Sequence, residues 1–237
     1  METEVIAHRG ASGTRPENTL PAFRRAVEVG APMIELDVQL TRDGYPVVIH
    51  DRTLDRTTSG RGAVRRRTLA EIAALDAGRW FAPGFAGTQV PMLGEVLAAI
   101  PIRINVELKA VRDDGLERRV LETVETAGAL ARVIFSSFDP SSLGRLRALS
   151  RNAELAILWS GGSIVRALAV AERVGARSVH LRKGRGAPAA IAAGHAAGLA
   201  VRVWTVNAPA DFARLTDAGA DGVFTDHPER FLQTARG

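Results

Sequence analysis

Apolar and polar positions recur along this chain in a fixed unit: a stretch with helical spacing, then Ala or Val before a glycine, then a short apolar run. The unit occurs five times, as VGAPMIELDV (Val29 to Val38), AGALARVIFSS (Ala127 to Ser137), VGARSVHL (Val174 to Leu181), AGLAVRVWTV (Ala197 to Val206) and AGADGVFTD (Ala218 to Asp226). Glycine enters the left-handed conformation that closes a helix without a side-chain penalty, so Gly30, Gly128, Gly175, Gly198 and Gly219 are predicted helix C-caps that feed β-strands. Gly175 and Gly198 lie 23 residues apart, and Gly198 and Gly219 21, which a helix and a strand fill with little to spare. Such tight β/α alternation implies a parallel sheet.

The helices between the caps carry apolar stripes: Leu20, Phe23 and Val27 after a cap at Asn18 or Thr19; Leu116, Val120, Leu121 and Val124; Ile164, Val165 and Leu168. Strands are predicted near residues 4–8, 33–38, 102–108, 132–137, 154–159, 178–182, 201–206 and 222–225. Eight strands of this kind suggest an α/β fold closed as a (β/α)8 TIM barrel. The rhythm breaks between Asp51 and Met92, where one helical patch (Thr68 to Ala77) sits among many glycines and arginines. That stretch reads as an insertion after strand two of a single barrel domain spanning residues 1–237. A connection that long is usually a lid, a substrate-binding cap or an oligomer contact.

Composition agrees with one barrel-sized domain: 237 residues, 46% hydrophobic and 24% charged, suffice to bury a full core and exclude disorder. With no cysteine there is no disulfide framework, thiolate metal site or cysteine nucleophile. The start METEVIAHRG has no apolar signal core and no run approaches the roughly 18 apolar residues of a membrane helix, so a cytoplasmic location is expected. The net charge of +5 is almost all arginine, Lys109 and Lys183 being the only lysines. A modest positive field suits an anionic small-molecule substrate. Without a basic tail, and with 5% aromatics, nucleic acid is not expected as a partner.

In a parallel barrel the working residues sit where strands end. His8 and Arg9 end strand one, and Glu35 and Asp37 end strand two. Residues two apart on a strand point to one face, so both carboxylates face inward. Glu107 and Lys109 repeat the spacing on strand three. Three acids in one small volume repel unless a positive partner lies between them, and three oxygen ligands favour a hard cation, Mg²⁺, Ca²⁺ or Mn²⁺. The competing reading is an internal salt-bridge network with Lys109, Arg9 and Arg103. His8 and His50, the latter ending the run PVVIH, bracket the acids. An imidazole with a pKa of about 6.5 can donate and accept protons at neutral pH.

HRG (His8 to Gly10), PENT (Pro16 to Thr19), IELDVQLTRDGYPVVIHD (Ile34 to Asp51), LDRTTSGRG (Leu54 to Gly62), VELK (Val106 to Lys109) and VWTVN (Val203 to Asn207) resemble, in order and over most of the chain, the glycerophosphodiester phosphodiesterase family. The stretch Leu143 to Leu199 resembles it only through its β/α rhythm. The resemblance implies that Glu35, Asp37 and Glu107 hold one divalent cation, that His8 and His50 serve as the acid–base pair, and that Arg9 and Lys109 bind phosphate. Which histidine is the acid is left open by the resemblance, and His50 as acid with His8 as base is our working assignment. Asn18 and Trp204 are then expected to line the pocket near the glycerol. Pro32 and Met33, where the family more often has Ala-Asp, and the basic run Arg65 to Arg67 depart from the pattern and bear on headgroup preference, not on chemistry.

The implied reaction is metal-dependent hydrolysis of diesters such as glycerophosphocholine or glycerophosphoethanolamine to sn-glycerol 3-phosphate and an alcohol. A lysophospholipase D activity is the nearest alternative, since Trp80, Phe81 and Phe85 in the insertion could meet an acyl chain. A non-catalytic barrel and an unrelated barrel enzyme stand further off. His180 and Arg182 could touch substrate, or His180 could fill the barrel mouth; Trp159 and Phe138 suit either pocket or core. His195 and His227 suit surface or capping roles, and Arg182 to Arg185 a solvated face.

Overall fold

The glycine-closed units build a closed barrel in the computed structural model, which describes residues 2–109, 114–184 and 186–232. Its strands are β1 (Glu4–Ala7), β2 (Met33–Leu40), β3 (Pro46–Val48), β4 (Arg103–Leu108), β5 (Val133–Ser137), β6 (Glu154–Trp159), β7 (Ser178–Arg182), β8 (Ala200–Trp204) and β9 (Gly222–Thr225). All except β3 are parallel and pair in sequence order, and β1 pairs with both β2 and β9, which closes the ring. The helices are α1 (Leu20–Glu28), α2 (Leu69–Ala73), α3 (Leu93–Ala99), α4 (Leu116–Thr126), α5 (Pro140–Leu149), α6 (Ile164–Val174), α7 (Ala187–Ala196), α8 (Pro209–Asp217) and α9 (Pro228–Leu232). The five predicted cap glycines all have φ between +62° and +87°. The fold is the expected (β/α)8 barrel. Arg185, the end of the basic run after β7, lies outside the described residues.

Strand alternation divides the core in two. Outward residues such as Leu36, Val106, Phe135 and Ile157 pack under the helices with Phe23, Val120 and Ala167. Inward residues Ile6, Met33, Ile134, Ala156 and Phe224 fill the barrel. Of the expected α6 stripe, Ile164 and Leu168 pack against the core while Val165 is 69% exposed, and Ala167, Ala171 and Val174 form the buried face. The N-terminal end of the barrel is plugged by charge: Arg103 reaches Glu154 at 3.4 Å and Glu4 at 3.7 Å, and Arg202 reaches Glu4 at 3.3 Å. Arg103 therefore has no part in the acid cluster, which lies at the other end.

The strand β3 was not expected. It folds back antiparallel on β2, with Val48 opposite Val38, and this hairpin carries the chain to the barrel mouth. Buried Gln39 then fixes the backbone beyond β3: its amide donates to the carbonyl oxygens of Ile49 at 3.0 Å and Asp51 at 2.6 Å, while Ile49 N–H donates to Asp37 O at 2.9 Å. Between Asp51 and Met92 the chain builds its own apolar cluster, in which Leu54, Val64, Ile72, Ala77 and Val90 join Val47 and Ile49. Thr68 and Glu71 form a capping box at the start of α2.

One glycine is fixed by the helix it meets. Gly10 has φ +82°, and a Cβ there would lie 2.7 Å from the Ala22 backbone. Gly10→Ala is expected to cost about 2 kcal/mol or more through left-handed strain and this overlap, read as a lowered midpoint in urea; unchanged stability would contradict the close approach.

Candidate active site

Register brings the acids together. Asp37 pairs with Glu107 across β2 and β4, and Glu35 sits two residues before Asp37 on the same inward face. One oxygen from each of Glu35, Asp37 and Glu107 lies within 4.8 Å of the others, and all three residues are buried. Two cations lean on this cluster. Lys109 Nζ is 3.0 Å from Asp37 Oδ1 and also bonds Glu107, and Arg9 Nε is 3.3 Å from Asp37 Oδ2. Arg9 has left-handed φ of +57°, which aims its backbone N–H at Glu35 Oε2 at 2.9 Å. Asn18, also left-handed, clasps Asp37 with both ends of its amide, Nδ2 donating at 2.8 Å and Oδ1 accepting from Asp37 N–H at 3.2 Å.

The crowding has electrostatic consequences. Burial, then the neighbouring Asp37 and Glu107 charges, push the Glu35 carboxyl well above the ordinary range. Burial and Asp37 raise Glu107 to about 7 despite Lys109. Burial acts on Asp37 in the same direction, but Lys109 and Arg9 outweigh it and hold that carboxyl well below its usual value. The cluster therefore has one ionised acid matched to its cations and two acids short of positive charge. Glu35 Oε1 is buried with no hydrogen-bond partner.

Each histidine is held from behind by a carboxylate. His8 Nδ1 lies 2.7 Å from Asp226 Oδ1, and Asp226 is itself fixed by Asn207 Nδ2 at 2.6 Å and Ser12 Oγ at 3.1 Å. His8 Nε2 faces Glu35 at 3.9 Å. His50 Nδ1 lies 2.6 Å from Asp51 Oδ1. A carboxylate on Nδ1 selects the tautomer with a proton there and leaves Nε2 free for chemistry. Burial, with Lys109 and Arg9, lowers the His50 pKa, while Asp37 and the Asp51 carboxylate pull the other way.

These residues surround a pocket of about 120 Å³ lined by His8, Arg9, Glu35, His50, Asn105, Glu107 and Lys109 on its polar side and Leu158, Trp204, Phe224 and Phe138 on its apolar side. Trp204 is set by its indole N–H on His180 O at 3.1 Å, and Phe138 meets it edge-on with centroids 5.7 Å apart. The pocket opens into a wider cleft of about 720 Å³ that shares His50, Glu107, Lys109 and Phe138 and adds Asp51 to Thr53 and Ser137 to Pro140.

All nine residues expected at the site lie in or against this cluster and its pocket, and seven of them line the pocket, Asp37 and Asn18 being the exceptions. Asn18 does not line the pocket as expected; it is buried against Asp37, because its left-handed backbone turns the amide inward. His180 is fully buried within the barrel beneath the mouth, and Trp159 faces outward under α6, so neither lines the pocket. His195 bonds Asp221 at 2.8 Å on the far surface. Sequence reasoning missed Asp226, Asp51, Glu17, Gln39 and Asn105. Asp51 follows His50 directly and Asp226 follows the last strand, and these positions were the available signals.

The chain is 41% identical over 241 residues to a glycerophosphodiester phosphodiesterase of Caldanaerobacter subterraneus, covering 100% of this chain and 99% of that one. It is 38% identical to a glycerophosphodiester phosphodiesterase of Bacillus altitudinis, over 98% of this chain and 97% of that one. An Oleispira antarctica phosphodiesterase, solved in complex with the product sn-glycerol-3-phosphate, superposes with a TM-score of 0.88 at 31% identity, covering 99% of this chain and 97% of that one. These are phosphoric diester hydrolases on a barrel scaffold. The model of the glycerophosphoryl diester phosphodiesterase family matches residues 8–230, and the chain belongs to that family.

The electrostatics make a prediction about stability. A carboxyl whose folded pKa is raised contributes stability below its unfolded pKa and loses it as pH rises through the folded value. With a chelator present, Glu107→Gln should thus gain stability relative to the wild type as pH rises from about 4.5 to about 7, by on the order of 3 kcal/mol at most. Parallel denaturant curves across that range would contradict the crowding.

Proposed function

We propose that this chain is a divalent-cation-dependent glycerophosphodiester phosphodiesterase that releases sn-glycerol 3-phosphate and an alcohol, with His50 as general acid and His8 as general base. The observation that carries this reading is the division of the mouth. His8 borders only the small pocket, whereas His50 borders both that pocket and the open cleft. A glycerol phosphate of limited size suits the small pocket, its carbons against Trp204, Leu158 and Phe224. The alcohol then extends into the cleft beside His50, whose chemistry is proton delivery to the departing oxygen.

Glu35, Asp37 and Glu107 would hold the cation. They offer three oxygen donors and no sulfur, the preference of hard ions such as Mg²⁺, Ca²⁺ or Mn²⁺, and Glu35 Oε1 is a buried acceptor without a donor. A bound cation supplies charge neutralisation for an anionic phosphodiester and for the negative charge that grows on its oxygens. Arg9 and Lys109 serve the same anion from the protein side. His8, held by Asp226, takes the proton of the attacking oxygen onto Nε2; His50, held by Asp51 and protonated on both ring nitrogens, gives its Nε2 proton to the leaving alkoxide. Asn18 keeps Asp37 in place instead of touching glycerol. The first residues of the insertion, Asp51 to Thr53, wall the cleft, which supports a role for this segment in choosing the alcohol.

The lysophospholipid alternative has less support. Trp80, Phe81 and Phe85 pack edge-on against one another at 5.7 Å, Phe85 lies under Arg15 at 5.4 Å, and none of the three lines the pocket or the cleft. Among the described residues no helix is long and apolar enough to cross a membrane.

The test is release of glycerol 3-phosphate from glycerophosphocholine, glycerophosphoethanolamine and glycerophosphoglycerol after chelation and after return of each ion. Activity should vanish with EDTA and return with one or more ions, and His50→Ala should lower kcat by about 10²- to 10⁴-fold. A 4-nitrophenyl leaving group, which needs no acid, should rescue His50→Ala and not His8→Ala. Rescue of His8→Ala alone would reverse the two roles, and no turnover of any diester by folded protein would refute the activity.

A further inference from the structure

We infer that Arg56, in the insertion, is a positioning residue that sets His50 and Arg9 together through one guanidinium. Its Nε donates to Asp51 Oδ2 at 2.7 Å and its Nη2 to Asp51 Oδ1 at 3.1 Å. On the other edge, Nη1 donates to Glu17 Oε2 at 2.7 Å and Nη2 to Glu17 Oε1 at 2.8 Å. Each carboxylate passes the constraint inward through an oxygen it shares. Asp51 Oδ1 also takes His50 Nδ1 at 2.6 Å, and Glu17 Oε1 also takes Arg9 Nη1 at 2.9 Å. An unbroken chain of charge-assisted hydrogen bonds thus runs from His50 to Arg9, with Arg56 in the middle, and Arg9 forms an ion pair with Asp37 at 3.3 Å.

The bland alternative is that Arg56 merely ties the insertion to the barrel. The loop is anchored without it: Leu54, Thr57 and Thr58 are buried, Leu54 N–H donates to Gly62 O and Val64 N–H to Arg52 O, both at 3.0 Å, and Thr58 Oγ1 donates to Leu54 O at 2.7 Å. The Arg56 side chain is 44% exposed, and ion pairs in such settings contribute little to stability. What the guanidinium adds is direction. Its planar fork fixes two carboxylates in bidentate geometry at once, which a lysine ammonium cannot do. Asp51, tied on its outer side, can orient His50 with Nε2 toward the pocket, and Glu17, tied likewise, prevents Arg9 from swinging out to solvent. The inference rests on the roles of His50 and Arg9 proposed above.

The experiment compares Arg56→Gln, Arg56→Lys, Asp51→Asn and His50→Ala in the full chain, measuring kcat and KM on glycerophosphocholine and on a 4-nitrophenyl glycerol phosphodiester, with thermal midpoints. Arg56→Gln should keep a near-wild-type midpoint, lower kcat on the choline diester by about 10²-fold and raise KM through the Glu17–Arg9 arm. The kcat loss should shrink to under about tenfold with the nitrophenyl leaving group, and adding Asp51→Asn to Arg56→Gln should cost under about threefold more. Arg56→Lys should recover at most one arm, KM or kcat. Two results would overturn the inference alone, with His50→Ala inactive on the choline diester: Arg56→Gln within twofold of wild type, or an equal loss on both substrates with a collapsed midpoint, the mark of a simple anchor. A His50→Ala variant at wild-type rate would overturn the underlying catalytic reading and this inference with it.

Discussion

Three buried carboxylates within hydrogen-bond reach of a common point are the constraint around which the mouth of this barrel is arranged. Strand geometry forces the meeting: two acids on alternate positions of β2 and one opposite on β4 must face inward together. Like charges this close, removed from water, cannot all ionise without help. Lys109 and Arg9 satisfy Asp37, which leaves Glu35 and Glu107 with raised pKa values and one oxygen of Glu35 unmatched. The deficit is of positive charge and is directed at oxygen ligands. The same two side chains that partly offset it, Arg9 and Lys109, also line the pocket.

Around this cluster lies a second ring of residues that orients the two histidines. The two histidines reach the mouth by different routes. His8 simply follows β1, whereas His50 depends on the β2–β3 hairpin and on Gln39 gripping the backbone after β3. Both end with a carboxylate on Nδ1, Asp226 for one and Asp51 for the other, so both present Nε2 to the pocket. Asp226 is immobilised by the barrel's own Asn207 and Ser12, while Asp51 depends on Arg56 from the insertion. The barrel thus supplies one histidine complete, and the insertion finishes the other while also walling the cleft beside it.

Much of this was legible in the sequence because it comes from local periodicity. Cap glycines, strand alternation and the spacing of Glu35, Asp37, Glu107 and Lys109 need no knowledge of distant contacts. The illegible parts are those set by tertiary pairing. Asp226 holds His8 across 218 residues, and Glu17 meets Arg56 across 39, with no pattern linking them. The strand β3 is three residues long, too short for an alternation to declare itself. Asn18 has the composition of a pocket residue, yet its positive φ turns it toward Asp37. On α6 the expected stripe holds at Ile164 and Leu168 but not at Val165, and Ala167 and Ala171, short side chains with no apolar signal of their own, make most of the buried face.

That charge crowding makes this cluster a cation site is tested most directly by calorimetric titration of Mg²⁺, Ca²⁺ and Mn²⁺ into chelator-stripped protein. One ion per chain should bind with at least one of these metals, with protons released on binding near pH 7, since Glu35 and Glu107 give up theirs, and binding should be lost in Glu35→Gln. Absence of binding by all three ions, or binding with no proton release and no dependence on Glu35, would contradict it.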